Sequence, residues 1–150
     1  MWSFRQAAFR AIDYDANLAV AKAALAAGVR KVGLVSAMGA DAHSKIFYSR
    51  VKGELEQALA QLPSEGLVIA RPSMLVGDRE SLGQPVRRGE VWTAALGNVL
   101  GFLIPANYKP IEASAVAEAL LSATLSVQGK KVLPSGVMQR YARSRSNIRV

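Results

Sequence analysis

The sequence predicts an α/β protein with parallel strands, and three observations carry that prediction. Two short runs, KVGLVS at 31–36 and LVIAR at 67–71, are apolar without alternation. That is the pattern of strands buried on both faces of a parallel sheet. Segments of helical length, alanine-rich or amphipathic, lie before, between and after these runs, the alternation expected of α/β architecture. Gly28 and Pro63 stand where helices should stop.

Taken in chain order, residues 5–27 read as a helix, since ANLAVAKAALAA is strong helix-forming material and Gly28 can close it. KVGLVS is the first buried strand, and AMGADAHSK after it is a loop of small and turn-forming residues. Residues 47–62 form the second helix. LVIAR is the second strand, with a turn at Pro72, and RESLGQPVRRGE at 79–90 reads as loop. A hydrophobic helix is expected over 90–102, an amphipathic one over 113–125, and a last short strand within KKVLPSG at 130–136. Connections between parallel strands should be right-handed crossovers. Ligands of such sheets bind beyond the carboxyl ends of the strands, which puts Ser36, Arg71 and Pro72 on the ligand-binding rim.

Composition narrows the function classes. The chain has 150 residues, 51% hydrophobic and 20% charged, the size and balance of one globular domain. With no cysteine there is no disulfide framework, thiolate metal site or cysteine nucleophile, and one histidine, His43, excludes a histidine-rich metal site. The formal charge of +8 arises from 19 Lys and Arg against 11 Asp and Glu. These are scattered until the tail RYARSRSNIRV at 140–150, and no zinc-finger or RNA-recognition signature accompanies them. That argues against nucleic acid as the main partner. MWSFRQAAFR lacks the apolar core of a secretory signal. The longest apolar stretch, VWTAALGNVLGFLI, is broken by Thr93, Gly97, Asn98 and Gly101 and is shorter than the roughly 20 residues of a membrane span. The expectation is a soluble, cytoplasmic protein without a metal.

The chemistry concentrates in FYSRVKGELEQAL at 47–59. On a helical wheel Lys52 falls about 40° from Tyr48, with Leu59 near 20° and Leu55 near 340°, so tyrosine and lysine share the apolar face. A lysine there is costly unless its ammonium reaches water, a partner or a ligand. The plain structural reading has Lys52 reaching the rim and pairing with Glu56. The chemical reading has its charge favouring the phenolate form of Tyr48, a usable general acid/base, with Ser36 holding the reacting oxygen.

This order of strand-end serine, tyrosine and lysine resembles the short-chain dehydrogenase/reductase superfamily. LVSAMGA, FYSRVKGE and RPSMLVGDR in succession are similar to its atypical, extended branch. Within that branch the resemblance is to Tat-interacting-protein-like oxidoreductases, also described as nucleoside-diphosphate-sugar-epimerase-like, over roughly residues 8–140. The resemblance implies NADP or NAD as cofactor and a small carbonyl, hydroxyl or nucleotide-sugar substrate. It also implies roles: Ser36, Tyr48 and Lys52 catalytic, Tyr48 and Lys52 at the nicotinamide ribose, and Arg71, Pro72 and Ser73 beside the nicotinamide. Asp15 falls near a position where the superfamily often has a supporting asparagine. Residues 79–111 correspond to the variable substrate-side segment.

The family's glycine-rich phosphate turn has no counterpart, because no G-x-G-x-x-G or G-x-x-G-x-x-G occurs among the 12 glycines. The expectation is therefore a single truncated NAD(P)-binding domain over 1–150. It is the C-terminal part of a Rossmann-like, doubly wound parallel sheet without its first βαβ units. An apolar strand left at a sheet edge predicts self-association. Two other readings stay open: a dinucleotide-sensing or protein-interaction module on the same fold, and a basic nucleic-acid binder whose affinity falls steeply with salt.

Overall fold

The computed structural model describes residues 2–76 and 105–146. One helical rod opens the chain: α1 (Trp2–Arg10), a π-helical stretch (Ala11–Ala16) and α2 (Asn17–Ala26). Gly28 follows with φ +92°, the left-handed conformation that ends helices at low cost for glycine alone. Strand β1 (Lys31–Val35) leads through a loop to α3 (Phe47–Ala60), and β2 (Gly66–Arg71) follows. The short strands β3 (Leu75–Val76) and β4 (Ile111–Glu112) pair with each other, with a 3₁₀ turn at Ala106–Tyr108 just before β4. The chain then forms α4 (Ala113–Ser126), β5 (Gly129–Pro134) and α5 (Ser135–Ser146).

The main sheet has the order β1-β2-β5, all parallel, with Lys31 opposite Gly66 and Gly66 opposite Gly129. The α/β expectation of a partial Rossmann-like sheet is borne out. β2 explains why its sequence does not alternate. Leu67 and Ile69 pack on one face with Leu34, Leu55, Leu59 and Ala21, while Val68 and Ala70 pack on the other with Val116, Ala119 and Leu133. Each large apolar side chain buried this way contributes about 1.5–3 kcal/mol. α2 and α3 thus cover one face, and α4 and α5 the other.

Among the described strands β1 pairs only with β2, and its Val35 is 42% exposed. The helix expected over 90–102 and the loop at 79–90 lie outside the described residues. The basic tail is helical as far as Ser146, and α5 starts directly where β5 ends. Ser135, at its first position, is 1% exposed, and Met138 is fully buried against the sheet. That burial recruits a segment whose charges alone suggest solvent.

Candidate functional site

Parallel strands place the start of α3 at the carboxyl end of the sheet, and a tightly bonded loop fixes its first turns. Asp41 organises that loop. Its carboxylate accepts from the His43 amide at 3.0 Å, its carbonyl accepts from the Ser44 amide, and its own amide donates to the Ser49 carbonyl. Ser44 Oγ accepts from the Ile46 amide at 3.1 Å, and Arg50 Nη1 donates to the Ser44 carbonyl at 2.9 Å. Gly53 makes room for this arrangement, since a Cβ there would stand 2.2 Å from the Ala42 nitrogen.

On this platform Tyr48 and Lys52 come together. Tyr48 is 46% exposed, its ring packs 5.6 Å from that of Phe9, and Lys52 Nζ lies 5.9 Å from the ring centroid. The lysine side chain is only 12% exposed, and its ammonium donates to Asp13 Oδ1 at 2.6 Å. The expected Lys52–Glu56 pair does not form. Glu56 is turned inward, and Asp13, reached from the π-helical stretch 39 residues upstream, takes the ammonium instead.

Glu56 organises a second cluster. It is 3% exposed and its Oε1 accepts from Ser36 Oγ at 2.6 Å and from Arg71 Nε at 3.0 Å. Oε2 accepts from Arg71 Nη2 at 2.5 Å. These hydrogen bonds hold the Arg71 guanidinium above its ordinary value, outweighing the opposite effect of burial. Ser36 is 5% exposed, so its hydroxyl is committed to Glu56 rather than presented on the rim beside Tyr48.

The remaining rim residues are also held. The Pro72 carbonyl accepts from the Met38 amide at 3.1 Å. Ser73 Oγ donates to the Lys109 carbonyl at 2.5 Å and lies 3.0 Å from Ser135 Oγ. Asn107 Oδ1 accepts from the Gly136 amide, capping the start of α5. A cleft of about 230 Å³ opens here at the carboxyl ends of β2 and β5, between Met38, Arg71, Tyr108, Val132 and Pro134. Of the expected site residues, then, the fold brings Tyr48 to Lys52 and Ser36 to Arg71, and it ties Ser73 to α5. A wider groove lies along Arg10, Glu54, Gln57 and Gln61, but it follows the outer, later turns of α3 and has no part in this rim.

The sequence reading gave Glu56 the wrong partner and missed Asp13. Glu56 carried a signal, because it sits about 80° from Tyr48 on the wheel, at the border of the apolar face. Asp13 carried none. Among the described residues no group of His, Asp or Glu could hold a metal, and no helix is long and apolar enough to cross a membrane.

No family model matches the chain. It is similar to fungal proteins named "Protein FMP52, mitochondrial". The Coccidioides immitis protein is 40% identical over 97 residues, covering 65% of this chain and 38% of that protein. The Candida albicans protein is 39% identical over 115 residues, covering 75% and 48%. FMP52-1 of Scheffersomyces stipitis is 47% identical over 73 residues, covering 49% and 32%. The chain therefore spans a third to a half of the length of these relatives.

These relatives correct two expectations. None of them bears a Tat-interacting-protein-like or epimerase-like name, so that subgroup is set aside. All are named as mitochondrial, which overturns the cytoplasmic expectation. That expectation rested on absent cysteines and an absent secretory signal, and neither separates one reducing compartment from another.

Proposed function

We propose that this chain supplies the nicotinamide side of an NAD(P)(H)-dependent oxidoreductase acting on a small carbonyl or hydroxyl compound. The observation that carries the reading is the half-exposed Tyr48 with the sheltered Lys52 ammonium beside its ring, both on the first turns of the helix at the carboxyl rim. The donor set suits a nicotinamide riboside: Lys52 can donate to ribose hydroxyls, and the exposed phenol of Tyr48 can hold or move a proton at a substrate oxygen. The backbone at Arg71, Pro72 and Ser73 borders the same rim. A nicotinamide cofactor, when bound, gives or takes a hydride. The 150 residues contain no glycine-rich turn for its pyrophosphate, so the affinity of this chain alone should be weak. Titration with NADPH against NADH decides the cofactor preference. We read the compartment as the mitochondrion, from the names of the relatives, and fractionation of the source cells tests it.

One observation favours a second reading, a non-catalytic dinucleotide-sensing or protein-interaction module on the same fold. The Ser36 hydroxyl is buried and bonded to Glu56, which leaves Tyr48 without the serine that would share the reacting oxygen. Fluorescence titration with NADPH and NADH, together with turnover of simple aldehydes and ketones, separates the two. On the oxidoreductase reading Lys52→Met weakens binding about tenfold, and Tyr48→Phe abolishes turnover while binding persists. Cofactor binding with no turnover in the unmodified protein selects the sensor. Absence of Lys52-dependent binding defeats the oxidoreductase and the dinucleotide sensor, and leaves the protein-interaction module.

A further inference from the structure

Among the described ion pairs, Lys52 is the least exposed cation, at 12% of its side chain. Its one polar partner among the described residues is Asp13. Aspartate is a poor choice for a helix interior, and the local backbone is unusual as well, for Asp13 lies inside the π-helical stretch Ala11–Ala16. Such stretches are rare and recur at functional sites.

The geometry explains what the wide turn achieves. In an α-helix a step of four residues overshoots one turn by about 40°. Arg10, Tyr14 and Leu18 are spaced by four: Arg10, 42% exposed, bonds Glu54 of α3, and Tyr14 and Leu18 pack on the core beneath. Within the widened turn, the residue beside Tyr14, Asp13, meets Lys52. One side chain, Asn17, closes the C-terminal end of the stretch. Asn17 Nδ2 donates to the Ile12 carbonyl at 3.0 Å and to the Asp13 carbonyl at 3.3 Å.

We propose that Asp13 is a positioning residue for Lys52, and that the π-helical stretch, closed by Asn17, exists to deliver it. The assignment rests on the reading of Lys52 as the nicotinamide-ribose ligand. A lysine tail is long and freely rotating. Pinned at Nζ in the free protein, it has little ordering left to lose when a ribose hydroxyl arrives, and two of the three ammonium protons remain for that hydroxyl. Asp13 acts on the ligand only through Lys52.

The test has two arms on the full chain. In the first, trace acylation of lysine amines is followed by mass spectrometry, with exposed Lys22 and Lys130 as internal standards. Asp13→Asn, which keeps the shape and removes the charge, should raise the Lys52 rate at least threefold, to about fivefold, with Lys22 and Lys130 unchanged. Asp13→Glu, which restores the carboxylate, should bring it partly back. A Lys52 rate unchanged in Asp13→Asn overturns the proposal. In the second arm NADPH affinity should fall about tenfold in Asp13→Asn, and Asp13→Asn with Lys52→Met should bind no worse than Lys52→Met alone. Wild-type affinity in Asp13→Asn, or additive losses in the double variant, also overturns it. If the unmodified chain binds neither NADPH nor NADH, the dinucleotide reading fails, and the acylation arm still decides whether Asp13 holds Lys52.

Discussion

Replacing Glu56 should cost more stability than replacing any other charged side chain on α3. Its carboxylate is 3% exposed and accepts three hydrogen bonds, two from Arg71 and one from Ser36. In Glu56→Ala the guanidinium loses its counter-ion. Because Arg71 remains 34% exposed, water recovers part of that loss, and the lower end of the range for breaking a buried pair applies, about 3 kcal/mol. Ser36 is almost fully buried and would lose its acceptor, adding about 1 kcal/mol. The sum, about 4 kcal/mol, is a large share of the 5–15 kcal/mol typical of a domain. Glu56→Gln keeps an oxygen for Ser36 and one arm of Arg71, so it should cost about half as much. Urea unfolding followed by far-ultraviolet circular dichroism gives both values, and a double-mutant cycle with Arg71→Met isolates the pair. A loss below about 1 kcal/mol in Glu56→Ala, or a Gln variant as damaging as Ala, would refute the reasoning. The cluster would then be a surface ion pair of little consequence.

Other substitutions probe the platform and the sheet edge. Gly53→Ala sets about 1 kcal/mol of gained helix propensity against a Cβ placed 2.2 Å from the Ala42 nitrogen and 2.3 Å from the Asp41 carbonyl carbon. Both obstacles are backbone, which no rotamer change relieves, so a net loss of about 1–3 kcal/mol is expected, with altered amide shifts over 41–46; a more stable variant would sink the argument. Val35, 42% exposed on β1, the edge strand among those described, should promote association between copies, and Val35→Lys should reduce it. Size-exclusion chromatography with light scattering reads the outcome, and a monomeric parent protein would remove the premise.

How far the fold could be read in advance depends on where each element finds its stabilisation. LVIAR was legible because burial on both faces removes alternation, and the structure does bury Leu67, Val68, Ile69 and Ala70 together. The helix over 47–60 was legible from its one apolar face, with Val51, Leu55 and Leu59 buried. The helix at Ser135–Ser146 was not. Its arginines suggest solvent, and its stabilising contacts, Met138 in the core and Asn107 capping Gly136, come from residues far away in sequence. Likewise β3 and β4 pair over only two residues each, too short for any periodicity to register.

The site divides along the same line. Tyr48 and Lys52 meet because they are four apart on one helix, and that relation is visible in a single segment. What surrounds them is set by tertiary approach. Asp13 reaches Lys52 across 39 residues, and Ser36 reaches Glu56 across 20. The consequence is chemical. A strand-end serine followed by a helical tyrosine and lysine reads in sequence as one constellation, yet here the hydroxyl and the ammonium answer to different carboxylates. Ser36 belongs to a buried cluster that ties β1, α3 and β2 together, while Lys52 belongs to a half-open one that ties α3 to the first helix. If this arrangement works on a substrate oxygen, the Ser36 hydroxyl can donate to that oxygen only by leaving Glu56. The residue then to examine beside Tyr48 is Asp13, which the spacing of the motif never names.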